Sequence, residues 1–435
     1  MTAPEDGTPE AGSVAMPDPA LRSEILAAVD AGFDAQLAFT RELVRLASTR
    51  GREAPAQDLV FDALAARGYT MDRWAIDPEA IRGHPGFSPV TVDYANAVNV
   101  VGSHRPRAEA GRSLILNGHV DVVPEGPRAM WTHPPYGAEV AGDWLHGRGA
   151  ADMKAGLAAN IFALDALQAL GYRPAARVHL QSVTEEECTG NGALAALVRG
   201  YRADAALISE PMGERLVRAN VGVLWFRLHV KGRPVHVREA GAGANAIEAA
   251  FPIVTALRGL ADRWNAEKDR HPDLAALDRP ISFNPGRIAG GDWPSSVPAW
   301  CTLDCRIALY PGWRPAEKAA EIEACVAEAA GQAPVEIEWT GFFAEGYRLE
   351  KGSEAERALG EAHHAAAGAP LRETVTPAYL DARVFALYGG CPALVYGPEG
   401  ENIHGFDERV SLPSLRRVTG AIALFAAAWC GLERA

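Results

Sequence analysis

The sequence predicts an α/β fold: a mostly parallel sheet flanked by helices, with a smaller α+β unit of ferredoxin-like order inserted into it. Three observations carry this expectation. Short, wholly apolar runs alternate with segments of helical periodicity over the first half of the chain, the pattern of a sheet covered on both faces. Near Arg218 the texture changes to period-two alternation, as in half-buried antiparallel strands. After Gly341 the first texture returns. A chain of 435 residues also exceeds what one core usually serves. Two domains are therefore expected, one from 21–217 with 342–435 and one from 218–341.

The elements follow in order. From Leu21 to about Leu46, Ile25, Leu26, Val29, Phe33, Leu37, Leu43 and Val44 recur at helical spacing and predict a long amphipathic helix. A second helix is expected over 54–67, with Gly68 placed to stop it. Strands are expected at 98–101 and 113–117, then a helix over 155–170 ended by Gly171. A strand at 178–183, a helix at 192–199 and a strand at 205–209 continue the alternation. In the middle stretch, strands at 221–230, 281–288, 300–309 and 335–340 enclose helices at 246–266 and 315–330. That β-α-β-β-α-β order makes a compact α+β unit. A helix at 354–367, a strand at 393–396 and a helix at 412–430 return to the first unit.

Composition narrows the function. Hydrophobic content of 48% and charged content of 22% describe an ordinary globular protein. A net charge of −13 argues against sequence-independent nucleic-acid binding, which rests on Lys and Arg neutralising phosphates. The six cysteines show no paired framework, which points to a reducing compartment. Cys301 and Cys305 lie on an expected strand and share one of its faces, so core packing explains them. Residues 1–20 are rich in Pro, Gly, Glu and Ala without an apolar stretch, and are expected to be a disordered tail and not a signal peptide. No apolar run is long enough to cross a bilayer. A cytoplasmic location is expected.

Five residues read as the ligands of one two-metal site: His119, Asp152, Glu187, Glu210 and His404. Most follow an apolar run, where a buried strand hands its side chain to a cleft. Two imidazoles and three carboxylates suit a pair of divalent ions, with one carboxylate free to bridge them. Taken singly, several have simpler explanations: Asp152 as a helix cap, His404 as a surface histidine. The run Glu185-Glu186-Glu187 is harder to dismiss, because adjacent carboxylates after a buried strand repel one another unless cations sit among them. Hydrolysis needs one carboxylate on a metal and another that takes a proton from water. Neighbouring glutamates supply both. Asp121, two residues after His119, is assigned as the group that orients its imidazole.

The segments Gly118-His119-Val120-Asp121, Gly147-Arg148-Gly149-Ala150-Ala151-Asp152-Met153-Lys154, Glu185-Glu186-Glu187 with Gly190-Asn191-Gly192, Ser209-Glu210-Pro211 and His404 together resemble the M20 metallopeptidase family. That family includes acetylornithine deacetylase, succinyl-diaminopimelate desuccinylase, aminoacylase-1 and glutamate carboxypeptidases. The resemblance implies two zinc ions per chain, with cobalt or manganese as substitutes, and Asp152 as their bridge. It implies Glu186 as the base and Glu187 as a ligand, with the register Glu185 as base and Glu186 as ligand still open. It further implies that the inserted unit is a lid that also forms a homodimer. Lys231-Gly232-Arg233-Pro234-Val235-His236 resembles the lid segment whose histidine reaches the neighbouring subunit's site. Arg306 is the candidate grip for a substrate carboxylate, and it stands two residues before the family's usual place. Asp381 resembles a family aspartate near the site. The implied reaction is cleavage of an amide in a small substrate, foremost an N-acyl amino acid as in acetylornithine deacetylase. A dipeptidase or carboxypeptidase, and a catalytically inactive metal-binding regulator, are the alternatives.

Overall fold

The computed structural model describes residues 14–435. Residues 1–13 of the expected tail lie outside the described residues. The rest of that segment differs from expectation, because Val14 and Met16 pack against the core and a helix already begins at Pro19. Asp18 caps this helix, its side chain accepting from the amides of Ala20 and Leu21, and Pro19 occupies the first turn. The helix runs to Arg45 and buries Ile25, Val29, Phe33, Leu43 and Val44, the face its periodicity marks.

Six strands form the central sheet, in the spatial order Thr70–Ala75, Val98–His104, Val178–Val183, Leu114–His119, Ala205–Ile208 and Ala393–Val395. Three of the five pairings are parallel and the outer two on one side are antiparallel, so the sheet is mixed. Its centre is dry: Leu114, Ile115, Leu116, Val178 and Leu207 are buried. Burying each such side chain contributes about 1.5–3 kcal/mol. Helices Pro19–Arg45, Ala155–Ala169, Glu354–Ala367 and Leu412–Cys430 pack against one another beside the sheet. Helix Ala155–Ala169 approaches the Ser209 backbone so closely that a Cβ at Gly156 would stand 1.9 Å from the Ser209 carbonyl oxygen. That contact brings the helix start next to Glu210.

The middle stretch folds as expected into a separate four-stranded antiparallel sheet, in the order Phe283–Gly290, Trp300–Leu309, Gly222–Lys231, Val335–Ala344. Helices Ala246–Asn265 and Pro315–Ala330 accompany it, giving the ferredoxin-like order. Phe226, Leu228, Ile253, Leu257, Leu303 and Ile322 form its own core. Cys301 and Cys305 are buried in it, and all six cysteines are unpaired. The expected limits at 218 and 341 fall inside strands. Arg215–Asn220 pairs with Tyr347–Arg348 and Arg372–Thr376, and the inserted sheet begins only at Gly222 and ends at Ala344. At both junctions one strand follows another within two residues, so no turn or loop marks the change of sheet.

Four short strands, Glu139–Ala141, Trp144–His146, Gly400–Glu401 and Arg409–Ser411, form a further small sheet that the sequence does not announce. Two or three residues are too few to show a period. Among the described residues no helix is long and apolar enough to cross a membrane.

Candidate metal centre

His119 ends the central strand Leu114–His119, and Glu210 follows its neighbour Ala205–Ile208 at the same edge of the sheet. Glu187 comes from the loop after the strand on the other side, Val178–Val183. Asp152 stands in a wide turn, Ala150–Lys154, just before helix Ala155–Ala169. His404 comes from a loop between two strands of the small sheet. Five segments distant in sequence thus meet at the C-terminal edge of the parallel strands, the usual place for a site in such sheets.

The distances form two sets joined by one residue. His119 Nε2 lies 3.1 Å from Asp152 Oδ1 and 3.6 Å from Glu210 Oε1. His404 Nε2 lies 3.1 Å from Glu187 Oε2 and 3.6 Å from Asp152 Oδ2. Asp152 therefore turns one oxygen to each histidine. Glu186 Oε2 stands off at 3.9 Å from His119 Nε2. Ligand atoms of His119, Asp152 and Glu187 all lie within 4.8 Å of one another, as do those of His119, Glu186 and Glu210.

Asp121 differs in detail from its expected role. The His119 Nδ1 partner at 2.9 Å is the Asp121 backbone carbonyl, while the carboxylate stands at 3.4 Å. That carboxylate accepts the Glu187 amide at 3.0 Å instead, so one residue orients an imidazole and pins the glutamate loop. Asp381 is buried, accepts from the Tyr379 hydroxyl and is raised to about 7, chiefly by burial. Tyr379 reaches it across Gly190, where a Cβ would meet the hydroxyl at 1.8 Å and φ is +70°.

The electrostatics fit cations. Burial pushes the carboxyls of Glu186, Glu187 and Glu210 up, and neighbouring carboxylates push further. Burial opposes charge on His119, yet Asp121 and Asp152 hold its imidazole well above the usual range. Glu187 foremost raises His404 to about 9. Glu210 Oε1 is buried without a hydrogen-bond partner among the described residues. Acceptors packed this densely need positive charge, as protons or as metal. The donor set, two imidazoles with carboxylates, fits divalent ions of the zinc, cobalt and manganese type.

A pH dependence follows. Glu187 foremost holds the His404 imidazole up at about 9, so a divalent ion taken up beside it is expected to bind more tightly as pH rises toward that value and to level off above it. Calorimetric titration in buffers of different ionisation enthalpy should register proton release near neutrality. An affinity that does not change with pH in this range would contradict it.

Several supports were not legible in the sequence. Glu185 takes four hydrogen bonds: two from Arg50 at 2.6 and 2.7 Å, one from Tyr94 at 2.5 Å and one from Thr189 at 2.9 Å. Its backbone is left-handed, with φ +67°, as is that of His404, with φ +61°. Such conformations are uncommon outside Gly and Asn and persist where surroundings enforce them. Lys154, fully buried, donates to the carbonyls of Leu43 and Leu46 at 2.9 and 2.7 Å, tying the end of the first helix to the Asp152 turn. No local pattern marks Arg50, Tyr94 or Lys154, because their partners lie far along the chain.

Two of the expected site residues stand apart from the cluster. His236 is exposed on a loop of the inserted unit, bridged to Ser296, with its Nδ1 accepting the Arg238 amide. Arg306 sits on strand Trp300–Leu309 and donates to Ser282 Oγ and to the Pro377 carbonyl, the latter at 3.0 Å. The second bond spans the two units.

A mixed α/β sheet with a ferredoxin-like insertion thus carries, at its strand ends, an acidic and histidine cluster suited to a divalent metal. The profile of Peptidase family M20/M25/M40 matches residues 115–428, and the chain belongs to that family. It is 27% identical over 441 residues to the N-formyl-4-amino-5-aminomethyl-2-methylpyrimidine deformylase of Halalkalibacterium halodurans, covering 95% of this chain and 98% of that one. It is 29% identical over 397 residues to the succinyl-diaminopimelate desuccinylase of Methylorubrum extorquens, covering 88% and 96%. Among solved structures, the di-peptidase Dug1p of Saccharomyces cerevisiae superposes with a TM-score of 0.75 at 14% identity, covering 94% of this chain and 98% of that one. Human carnosine dipeptidase 1 does so with a TM-score of 0.73 at 15% identity, covering 95% and 100%. Both share the fold.

Proposed function

We propose that this enzyme removes a small acyl group from an N-acylated amine, foremost an N-acyl amino acid in the manner of acetylornithine deacetylase. Two zinc ions per chain are its cofactors, with cobalt or manganese as substitutes. The observation that carries the reading is Asp152, which turns one carboxylate oxygen toward the His119 and Glu210 set and the other toward the His404 and Glu187 set. His119, Asp152 and Glu210 would hold one ion, and His404, Asp152 and Glu187 the other. Bound there, the ions supply Lewis acidity to the amide carbonyl and acidify water.

The chain's own residues do the rest. Glu186 takes the proton of the attacking water on its carboxylate and returns it to the leaving amine. Its 3.9 Å from His119 Nε2, longer than the 3.6 Å of Glu210, supports a base, and the four hydrogen bonds on Glu185 support this register over the alternative. Asp121 holds the His119 ring and the Glu187 loop in place. Arg306 has donors left for a substrate carboxylate after its bonds to Ser282 and Pro377. The names of the deformylase and desuccinylase relatives support an acyl group lost from an amine. The six unpaired cysteines support a cytoplasmic location.

The test is zinc-loaded protein against N-acetyl, N-succinyl, N-formyl and N-carbamoyl amino acids, N-formyl aminomethylpyrimidine and dipeptides, read by amine release. Hydrolysis of an acyl compound well above any dipeptide is expected. Dipeptides as the sole substrates would replace the reading with a peptidase, and metal-loaded protein inert on every class would favour a regulator.

The active unit is proposed to be a homodimer, with His236 serving the partner's site. Strand Phe283–Gly290 is the edge of the inserted sheet, and Phe251, Ile288 and Trp293 are exposed on the same unit. An imidazole there would donate to the developing oxyanion, and losing one such donor costs about 10²–10³ in rate. His236→Ala is expected to keep its metal and lose turnover on that scale. Mixing it with Glu186→Ala chains should restore part of the activity, because one site in each mixed dimer receives both residues. No recovery after verified subunit exchange would overturn the arrangement in trans.

A further inference from the structure

Glu408 has no place in the chemistry above, yet its fully buried carboxylate takes four hydrogen bonds. Oε1 accepts the amides of Ala151 at 3.0 Å and Asp152 at 3.1 Å. Oε2 accepts the Gly149 amide at 3.0 Å and Arg148 Nη1 at 2.5 Å. The same Arg148 sends Nη2 to the carbonyl of Gly405, next to His404, at 2.8 Å. The Glu408 carbonyl in turn accepts the Gly147 amide at 2.9 Å. Two loops that deliver ligands, 147–152 and 404–408, are thus stitched together by one acidic and one basic side chain.

Both loops grow from the same small sheet. Strand Trp144–His146 pairs with Arg409–Ser411, His146 opposite Arg409, so the chain leaves one strand for Asp152 and enters the other from His404. Trp131 closes the outside: the Arg148 guanidinium lies 5.2 Å from its ring, and Phe406 meets it edge-on at 6.0 Å. A buried carboxylate this near Asp152 would repel it if unpaired, and Arg148 supplies the balancing charge. Three backbone amides converging on one carboxylate fix the path of the Asp152 turn more firmly than its own hydrogen bonds do, since charge-assisted bonds are about twice as strong as neutral ones.

We propose that Glu408, with Arg148, is a positioning pair that sets Asp152 against His404 and thereby governs affinity for the ion those two residues share. This rests on the two-ion reading above. Neither residue touches the substrate. A carboxylate suits the task because it accepts from four donors at once. An amide in its place has one oxygen, and it turns an N–H toward donors on the other side. Ion-pair packing without a positioning role would lower the stability of the metal-free fold and leave the two ions' affinities in their usual ratio.

The experiment titrates the full-length, metal-free protein with cobalt(II), followed by calorimetry and by the visible spectrum of the bound ion. Wild type is expected to bind two ions; a single binding event would refute the two-ion reading and not the pair as such. Glu408→Gln should weaken the site that includes His404 about 10–100-fold, the usual cost of losing a group that orients a ligand, and the site that includes His119 clearly less, because only the first has both Asp152 and His404 on the stitched loops. The weakened site should be the one lost in His404→Ala, so Glu408→Gln/His404→Ala should bind no worse than His404→Ala alone. Wild-type affinity at both sites, or equal weakening of both, would overturn the proposal. Where Glu408→Gln fails to fold, Arg148→Lys decides: it keeps the buried charge but withdraws the fork that spans Glu408 and Gly405. It should weaken the same site selectively, and unchanged affinity at both sites overturns the proposal.

Discussion

Replacing Glu186 by Gln or Ala is expected to reduce turnover by at least about 10²–10⁴, the scale of general acid–base catalysis, while metal content stays near two per chain. The carboxylate is buried, stands 3.9 Å from His119 Nε2, and lies within 4.8 Å of ligand atoms of His119 and Glu210. Burial, and the Glu210 carboxylate beside it, push its carboxyl well above the usual carboxylate range. Glu187→Ala should behave in the opposite way and lose metal, because its carboxylate lies 3.1 Å from His404 in the set proposed to hold the second ion. Metal analysis beside an amine-release assay reads both variants. Loss of metal in Glu186→Ala with both ions kept in Glu187→Ala would shift the register by one and make Glu185 the base. Such a result would also require Glu185 to release Arg50, Tyr94 and Thr189.

The second large effect concerns Asp152. Its Oδ1 faces His119 and its Oδ2 faces His404, so removing it withdraws a ligand from both ions at once. Asp152→Ala is expected to bind less metal than either His119→Ala or His404→Ala, each of which deprives one ion. Stoichiometry by inductively coupled plasma measurement, at matched free zinc, separates the three variants. A value for Asp152→Ala no lower than for the single-ion variants would contradict the bridge.

Much of the candidate site was legible because His119, Glu187 and Glu210 come after buried strands and Asp152 stands just before a helix, positions that local pattern marks, whereas His404 stands in a loop with no such mark. His119 after Leu114-Ile115-Leu116 and Glu210 after Ala205-Ala206-Leu207-Ile208 are of this kind. The inserted unit was legible through its alternation, and helices such as Pro315–Ala330, Glu354–Ala367 and Leu412–Cys430 fall where periodicity put them. The small sheet was not, since strands of two or three residues carry no period. The limits of the inserted unit shifted for a related reason: at each junction one strand follows another within two residues while the pairing partners change.

By itself, then, the sequence determined the longer elements, their order along the chain and the residue types of the candidate metal set, because hydrophobic period and residue type are local properties. Which carboxylates stand free and which are already engaged was decided by tertiary structure alone. Glu185 and Glu186 are neighbours of identical chemistry, yet one is locked by Arg50 from a loop 135 residues away and the other faces the cluster. Glu408 reads as one more acidic loop residue until the fold lays the Asp152 turn across it. A hydrogen bond depends on distance in space, and only the packed chain sets that distance.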